Sequence, residues 1–469
     1  GGCSCFEKAE EKGAANIFRS KRCIASCSFI LLTLALLCYI CLYFLLSETE
    51  HDTPLYGHYR TDHSRYTGVP ENVADPIILW WTPFTKQAGH SKTCGSRSCF
   101  FTEDRVFFNH TNLQAVMFYG SELEIGDLPL PRKLNHDWAL LHEESPKNNF
   151  IFCMPNILPW FNHTATFRRS SDLPLTLQYL NDIADLTSKE FFVKTASKET
   201  VKTNLSLVAY VQSDCNTPIE RDAFVSQLMK YISVDSYGKC IHNKDLPKEL
   251  ASAMEAMDNK HFWHLLANYK FHIAIENYAC EDYITEKLWR PLIVGSVPIY
   301  FGSPSVADWL PNGVDSAILV SNYSSPEELA KAIKNIDSNN NLYESFLSHK
   351  VHQKISNKAL LNVMKKRRWG VNDPKRPSFV EEFECLVCLR VWKRLESASV
   401  NFVASTRHYS CDPPKSMLNK RSRGFWREMY RQAKTEAKVL EDILRKNAAF
   451  GEHYLQNKIL SSLQAHSSS

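Results

Sequence analysis

Short apolar runs alternate with amphipathic stretches through most of this chain. Stretches with apolar residues at helical spacing lie at 221–234, 262–269 and 327–336. Apolar runs of strand length lie at 77–81, 115–119, 138–141, 150–152, 207–211, 271–275 and 297–301. Strands that alternate with helices are typical of parallel sheets covered by helices. The pattern therefore predicts an α/β fold.

The amino-terminal region carries one long apolar segment without a charge, residues 24–46, which is long enough to cross a bilayer as a helix. Arg19, Lys21 and Arg22 precede it, and acidic residues follow it. The positive-inside rule then predicts a single-pass type II membrane protein. The expected parts are a cytosolic tail at 1–23, a transmembrane anchor at 24–46 and a polar stem at 47–76, with the rest luminal. A cleaved signal peptide is the alternative.

Beyond the stem, the chain is long enough for two domains and an extension. We place a first domain at 77–200 and a second at 201–390, because the apolar run at 207 begins a new series of strands and helices. Residues 391–469 form a carboxyl-terminal extension, in which 425–444 has helical periodicity and many charges. We expect a solvated helical tail there, with a helix that binds a partner or a membrane surface as the alternative.

The charge balance and the cysteines limit the class of protein. Lys and Arg total 55 against 51 Asp and Glu, which argues against a nucleic-acid-binding protein. Cys94 with Cys99, and Cys385 with Cys388, are close enough in sequence to form disulfides in an oxidising lumen. The second pair is a Cys-x-x-Cys that could be half a zinc site, but no second ligand pair accompanies it. An odd number of cysteines follows the anchor, so at least one thiol stays free or pairs between chains.

Candidate N-glycosylation sequences also lie in the predicted luminal part. Each has the Asn-x-Ser/Thr pattern, and they are Asn109, Asn162, Asn204 and Asn322. They agree with a secretory topology.

Residues 276–290 (ENYACEDYITEKLWR) contain the most informative polar chemistry. They follow the apolar run at 271–275, so their side chains are expected at the carboxyl end of a parallel strand. Tyr283, Glu286, Lys287 and Arg290 recur at helical spacing, which predicts one face with a ring, a carboxylate and two cations. A carboxylate can bind ribose hydroxyls while cations bind phosphates, which suits a nucleoside diphosphate. The alternative is an amphipathic helix whose charges only face solvent.

Together with Tyr269 and the GSVPIYFG segment at 295–302, this stretch resembles the donor-binding signature of the α-1,3-fucosyltransferases, glycosyltransferase family 10. The resemblance implies two Rossmann-like domains that face a cleft (GT-B type), with 77–200 on the acceptor side and 201–390 binding GDP-fucose. It also implies inverting transfer of fucose to an acceptor hydroxyl. A catalytically silent lectin or chaperone of the same fold is the alternative.

The resemblance also implies roles for individual residues. Asn277 and Tyr283 would line the donor pocket, Glu286 would bind the ribose hydroxyls and Lys287 would contact phosphate. Arg221 lies in a segment, 211–225, that resembles the family's phosphate-clamping loop and helix. The chain contains no Asp-x-Asp, so we expect cations rather than a metal to neutralise the diphosphate.

Three further residues of the signature carry structural expectations. Glu276 is expected to brace the loop after its strand. Asp282 is expected to cap the following helix. Pro291 is expected to interrupt that helix by removing an interior hydrogen bond, and to kink it just past Arg290.

The segment 138–149 (WALLHEESPKNN) resembles the family's Glu-Ser-Pro segment, whose glutamate is proposed to deprotonate the acceptor. Glu144 occupies that position, and Glu143 and His142 are rivals. A glutamate needs burial or a nearby carboxylate to become a stronger base.

Other segments resemble the divergent branch of the family numbered ten and eleven: LPLPRK (128–133), VDSYGKC (234–240) and RRWGV (367–371). That branch implies a protein Ser/Thr acceptor in small modules of the EMI type, and residence in the endoplasmic reticulum. The alternative is the family default, N-acetylglucosamine on a glycan, in the Golgi.

Overall fold

A computed structural model describes residues 73–467, with gaps at 87–88, 201–203, 251–258, 372, 398, 419–423 and 448–451. All of these residues belong to the unit His63–Ser469. The predicted cytosolic tail, the predicted anchor and nearly all of the predicted stem lie outside the described residues. Within 73–467, no helix is both long and apolar enough to cross a membrane.

The first sheet has seven strands, in the order β2-β3-β1-β4-β5-β6-β7. Every neighbouring pair is parallel except the β2–β3 hairpin. The strands are β1 (Ile77–Trp80), β2 (His90–Cys94), β3 (Arg97–Thr102), β4 (Leu113–Tyr119), β5 (Asp137–His142), β6 (His163–Thr166) and β7 (Leu173–Pro174). We call this sheet and the elements packed on it the first lobe.

The second sheet has five strands, all parallel, in the order β13-β11-β10-β8-β9. The later strands are β8 (Val208–Val211), β9 (Val234–Tyr237), β10 (Phe271–Ile275), β11 (Val297–Phe301), β12 (Pro311–Val314, outside the sheet) and β13 (Ile318–Leu319). The chain leaves β8 towards β9 on one side and leaves β10 towards β11 on the other. The loops after β8 and β10 therefore diverge and leave a crevice at their carboxyl ends, where doubly wound sheets bind ligands. We call this sheet and its helices the second lobe.

The helices are numbered in the order in which they occur along the chain. They are α1 (Ile183–Thr187), α2 (Thr195–Thr200), α3 (Arg221–Leu228), α4 (Lys260–Ala267), α5 (Glu286–Val294), α6 (Pro326–Asp337), α7 (Asn340–Phe346), α8 (Ser348–Val351), α9 (Lys358–Lys366), α10 (Phe379–Glu396), α11 (Phe425–Lys446) and α12 (Glu452–Ser467). The prediction of an α/β fold with parallel sheets is confirmed. The apolar run at 150–152 is not a strand, however, but part of a 3-10 helix, Phe150–Cys153.

Two long helices from the carboxyl-terminal part cover the two faces of the first sheet. Successive strand residues point to opposite faces, so Ile77 joins the core that contains Leu440 of α11, and Ile78 joins the core that contains Phe383 of α10. Helix α10 therefore packs on the first lobe, although most of it lies within the boundaries predicted for the second domain. The expectation of a solvated helical tail is also wrong, because one face of α11 is buried in the first-lobe core.

The disulfides correct the expected pairing. Cys94 of β2 is bonded to Cys385 of α10, and Cys99 of β3 is bonded to Cys388. The four cysteines do form disulfides, but each bridge joins the hairpin to the distant helix rather than closing a short local loop. Two more bridges are Cys215–Cys240 and Cys280–Cys411, and within the described chain Cys153 has a free thiol.

Candidate active site

The candidate site lies where β10 ends and α5 begins. We call residues 276–285, which connect the two elements, the donor loop. Thr285 is the N-cap of α5, and its side chain accepts a hydrogen bond from the Lys287 backbone N–H. Tyr283 therefore precedes the helix, and the expected helical face holds only Glu286, Lys287 and Arg290. The helix continues past Pro291 to Val294, so the proline lies inside α5, and the kink expected there stays a prediction.

Glu276 is fully buried at the base of the donor loop. One carboxylate oxygen accepts from the Thr285 backbone N–H at 2.8 Å and the other from the Thr285 hydroxyl at 2.7 Å. The Lys287 ammonium lies 3.6 Å from the same carboxylate. The predicted bracing role of Glu276 therefore has a geometric basis: the carboxylate closes the loop and orients the lysine.

Glu286 and Lys287 form a mutually stabilised pair at the first turn of α5. The Lys287 ammonium lies 3.1 Å from a Glu286 carboxylate oxygen and 3.0 Å from the Thr285 hydroxyl. Burial alone would raise the pKa of Glu286, but Lys287 and Arg290 outweigh it and hold the pKa at about 2. For Lys287, burial would lower the pKa, but Glu286 and Glu276 outweigh it and raise the pKa. Both side chains are therefore charged at neutral pH.

Arg221 lies at the first turn of α3, beside the crevice, and is fully buried. One guanidinium nitrogen donates to the Ile275 carbonyl at the end of β10 at 3.2 Å, and another donates to the Asp214 carbonyl in the loop after β8. Its buried Nε has no hydrogen-bond partner among the described residues. The arginine thus ties together the two loops that border the crevice.

Asn277 follows Glu276 at the carboxyl end of β10 and is half-buried. Its buried Oδ1 has no hydrogen-bond partner among residues 73–467. A buried polar atom of this kind normally acquires a partner, so the amide has capacity to bind a ligand.

Glu144, the candidate base in the first lobe, is in contact with Tyr283 of the second lobe. The Tyr283 hydroxyl donates to a Glu144 carboxylate oxygen at 3.4 Å, which joins the donor loop to the loop after β5. Burial raises the pKa of Glu144, Lys287 opposes that rise, and Glu286 adds to it; the pKa stays above its ordinary value. A half-buried glutamate with a raised pKa, beside the donor loop, has the properties of a general base.

The rivals of Glu144 have different surroundings. Glu143 accepts a hydrogen bond from the Tyr119 hydroxyl of the first lobe at 3.0 Å, and burial raises its pKa to about 7. His142 is fully buried between Phe152 and Tyr409, and burial lowers its pKa to about 3. His142 therefore has no access to an acceptor hydroxyl, and Glu144 is the carboxylate that faces the second lobe.

Asp282 does not cap α5, as the sequence suggested. Its carboxylate instead accepts hydrogen bonds from Arg169 of the first lobe. No local pattern indicates this contact, because Arg169 lies 113 residues away in the chain.

Two further residues near the site were missed by sequence reasoning. Lys147 of the Glu-Ser-Pro segment forms an ion pair with Asp214 of the second lobe. Tyr179 lies in the segment between the sheets, where burial and the charges of Glu144 and Glu286 raise the pKa of its hydroxyl. Lys147 belongs to the same Glu-Ser-Pro segment as Glu144, so the sequence could have predicted that it lies near the site. No local pattern distinguishes Tyr179.

The candidate glycosylation sites differ in exposure. Asn109, Asn204 and Asn322 are exposed. Asn162 is engaged inside the first lobe: its Nδ2 donates to the Phe402 carbonyl at 2.9 Å, and its Oδ1 accepts from the Trp138 backbone N–H at 2.8 Å. A glycan on Nδ2 would disrupt this packing, so the structure argues against Asn162 as a site.

One cluster has the residue types of a metal site. Cys215, Asp222 and Cys240 place a ligand atom each within 4.8 Å of one another. The two cysteines are bonded to each other, however, and their sulfurs are not available as thiolates. The cluster therefore does not fit a metal while this disulfide is intact.

Comparison with known proteins identifies the family. Residues 201–405 match the carboxyl-terminal region of glycosyltransferase family 10 (fucosyltransferase), and residues 73–178 match the fucosyltransferase amino-terminal region. Solved structures of an α1,3-fucosyltransferase with GDP-fucose and with GDP align with TM-scores of 0.38 and 0.40, at 18% and 16% identity. These alignments cover 64% and 71% of this chain, and 82% and 95% of the solved chains.

Similar relatives include proteins named GDP-fucose protein O-fucosyltransferase 3. The one from Xenopus tropicalis is 44% identical over 387 residues, which cover 80% of this chain and 82% of the relative. The human one is 44% identical over 392 residues, which cover 80% of this chain and 81% of the relative. Similarity at this level over most of both chains shows common membership, and this chain belongs to glycosyltransferase family 10, the fucosyltransferases.

Proposed function

We propose that this chain transfers L-fucose from GDP-fucose to a Ser or Thr hydroxyl of a secretory protein, with EMI-type modules as the acceptor class. The relatives named as protein O-fucosyltransferases support the donor and the protein acceptor. The single observation that carries the proposal is the meeting of Glu144 and Tyr283, since it joins a candidate base to the donor loop.

In the proposed reaction, the diphosphate lies against the Lys287 ammonium and the Arg221 side of the crevice, and Glu286 binds the ribose hydroxyls. The acceptor oxygen attacks the anomeric carbon from the side opposite the nucleotide. Its proton passes to Glu144, and the bond from the anomeric carbon to the phosphate oxygen breaks as GDP leaves. One displacement inverts the centre, so a β-linked donor yields an α-linked fucose.

The positive charge of Lys287 would stabilise the negative charge that develops on the leaving GDP. The proposal therefore includes a reaction that needs no metal ion. Electrostatic stabilisation of developing charge is often the largest contribution to catalysis. Pairing with Glu276 and Glu286 means that the ammonium is already oriented before the donor arrives.

A luminal location in the endoplasmic reticulum or Golgi, with a type II anchor, is also part of the proposal. Four disulfides within the described residues support an oxidising compartment.

The test measures GDP release from GDP-fucose by the full chain with three acceptor conditions: an EMI-type module, an N-acetylglucosamine-bearing glycan, and no acceptor. We expect acceptor-dependent release with the module. Turnover with the glycan alone would favour the glycan acceptor, and binding of GDP-fucose without turnover would favour a silent lectin or chaperone. Loss of activity in EDTA with rescue by manganese would contradict the metal-free reaction.

Substitution of the base provides the sharper test. Glu144→Gln keeps the shape of the side chain but removes the proton acceptor, so kcat should fall roughly 100-fold or more. The Kd for GDP should change less than about twofold, because the substituted group binds no part of the nucleotide. Glu143→Gln is the matched control, with a smaller expected effect. A normal rate for Glu144→Gln would make the base assignment wrong.

A further inference from the structure

Three consecutive residues of the first lobe face three residues of the donor loop. Phe167, Arg168 and Arg169 follow β6 directly. The Phe167 ring packs edge-on against the Tyr283 ring with centroids 5.2 Å apart. Arg168 pairs with the exposed Glu281 at 2.5 Å. Arg169 pairs with the fully buried Asp282 at 2.6 Å.

Asp282 is the centre of this contact. One carboxylate oxygen accepts from the Arg169 Nε at 2.9 Å, from the Ser305 hydroxyl at 2.8 Å and from the Trp309 ring N–H at 3.2 Å. The other accepts from the Arg169 backbone N–H at 3.0 Å. Because both oxygens accept, neither position has room for an amide N–H₂ group.

The backbone of Asp282 depends on these bonds. Its φ is +66°, in the left-handed region that residues other than glycine seldom adopt. Its backbone N–H donates to the Ser303 hydroxyl at 2.8 Å. The conformation matters because Asp282 directly precedes Tyr283, so the turn at one residue sets the direction of the next side chain.

Arg169 is also held from its outer side by the second lobe. Its guanidinium contacts the Asp308 carboxylate at 2.9 Å and stacks over the Trp309 ring at 4.5 Å. A planar guanidinium can bind two carboxylates through different nitrogens and stack on a ring at once, whereas a lysine ammonium cannot.

We propose that Arg169 is a positioning residue for fucosyl transfer, which acts by holding Asp282 so that Tyr283 of the second lobe reaches Glu144 of the first. This inference rests on the proposed function and names the residue that aligns the two halves of the site. Arg169 itself contacts neither Glu144 nor Lys287 in the hydrogen bonds and ion pairs of the described residues. Its loss should therefore alter the alignment of base and donor more than the affinity for the nucleotide.

The test compares Arg169→Ala and Arg169→Lys in the full chain, with kcat and KM measured for GDP-fucose at saturating acceptor and the Kd measured for GDP. Arg169→Ala should lower kcat on the order of 10- to 100-fold, as expected for a small displacement of reacting groups. The Kd for GDP should stay within about threefold, since the side chains assigned to the nucleotide are unchanged. Arg169→Lys should recover only part of kcat, because it restores the charge without the planar fork.

Arg445→Ala is the control, since Arg445 forms an exposed ion pair with Glu441 on α11, and its kcat should equal that of the original chain. The melting temperature of each variant separates alignment from folding. A normal kcat in Arg169→Ala would overturn the inference. So would a fall in kcat that is matched by an equal fall in GDP affinity and by a loss of folded protein, because the arginine would then act only on folding. If Arg169→Ala does not fold, full kcat in a folded Arg169→Lys would also overturn it. An original chain that shows no transfer to any acceptor would instead refute the proposed function.

Discussion

At the scale of single residues, the site depends on a lysine placed between two carboxylates. Lys287 lies 3.6 Å from buried Glu276 and 3.1 Å from Glu286, which is only partly exposed. Glu276 has no contact with solvent, so its negative charge is stabilised by the lysine and by the two hydrogen bonds from Thr285. Removal of one member of such a buried group leaves the other charges poorly compensated.

We predict that Glu276→Gln weakens donor binding and destabilises the fold. The amide nitrogen of glutamine cannot accept a hydrogen bond from Thr285. The neutral glutamine side chain would also no longer balance the positive charge of Lys287. We expect the Kd for GDP to rise about tenfold, equivalent to about 1.4 kcal/mol, and the free energy of unfolding to fall by about 3 kcal/mol. Calorimetric GDP titration and urea unfolding would measure the two effects.

Glu327→Gln is the matched control for that substitution. Glu327 forms an exposed i,i+4 pair with Lys331 on α6, and exposed pairs of this kind contribute little to stability. Both measurements should be unchanged for it. Donor affinity in Glu276→Gln equal to that of the control would mean that Glu276 does not orient Lys287.

The same scale shows what local sequence can predict about the site. Glu276, Thr285, Glu286 and Lys287 are neighbours in the chain, so a short motif captures their arrangement. Asp282 belongs to the same motif, but its partner Arg169 lies 113 residues away. Nothing around Asp282 distinguishes a helix cap from a contact between lobes, and the sequence therefore suggested the wrong role.

At the scale of elements, α11 shows the limit of helical periodicity as a predictor. The sequence predicted a helix at 425–444, and the structure has one at Phe425–Lys446. An amphipathic pattern defines an apolar face but does not say which surface covers it. Here the apolar face of α11 packs against the first lobe, where Ala437, Leu440 and Leu444 share a core with Phe152 and Trp138.

We predict that Leu440→Ala destabilises the protein by about 3 kcal/mol, the typical cost of truncating a buried leucine. Leu440 is only 3% exposed, so the substitution would leave a cavity under α11. Lys438→Ala on the exposed face of the same helix should change stability by less than about 0.5 kcal/mol. Urea unfolding of the two variants is the measurement, and equal stabilities would support the solvated tail that the sequence suggested.

At the scale of the whole described chain, the chain builds one lobe, crosses to the second and returns. Helix α10 comes back to the first sheet after the second lobe is complete, and its side chains Phe383 and Val387 enter the same core as Ile78. The alternation of strands and helices predicted both sheets. The return could not be predicted, because pairing between distant segments depends on the packed surface and not on any local pattern.

The cysteines show the same limit in covalent form. Cys94 and Cys99 are separated by a β-hairpin turn, and Cys385 and Cys388 lie on one helix, so spacing along the chain favoured two short loops. In the structure the two bridges run side by side between hairpin and helix, with sequence separations of 291 and 289. Each bridge thus closes nearly the same long loop.

This arrangement predicts that removing both bridges costs more than the sum of removing each one. While one bridge remains, the other closes only a short ring, which consists of residues 94–99, residues 385–388 and the two bridges. This ring has about ten residues, so removal of one bridge should cost about 3 kcal/mol by the chain-entropy relation. Removing both opens the long loop as well, and the same relation gives about 8 kcal/mol. The variants are Cys94→Ala with Cys385→Ala, Cys99→Ala with Cys388→Ala, and all four together, each measured by denaturant unfolding without reductant. A fourfold variant whose loss merely equals the sum of the two double variants would show that the bridges act independently and do not close one shared loop.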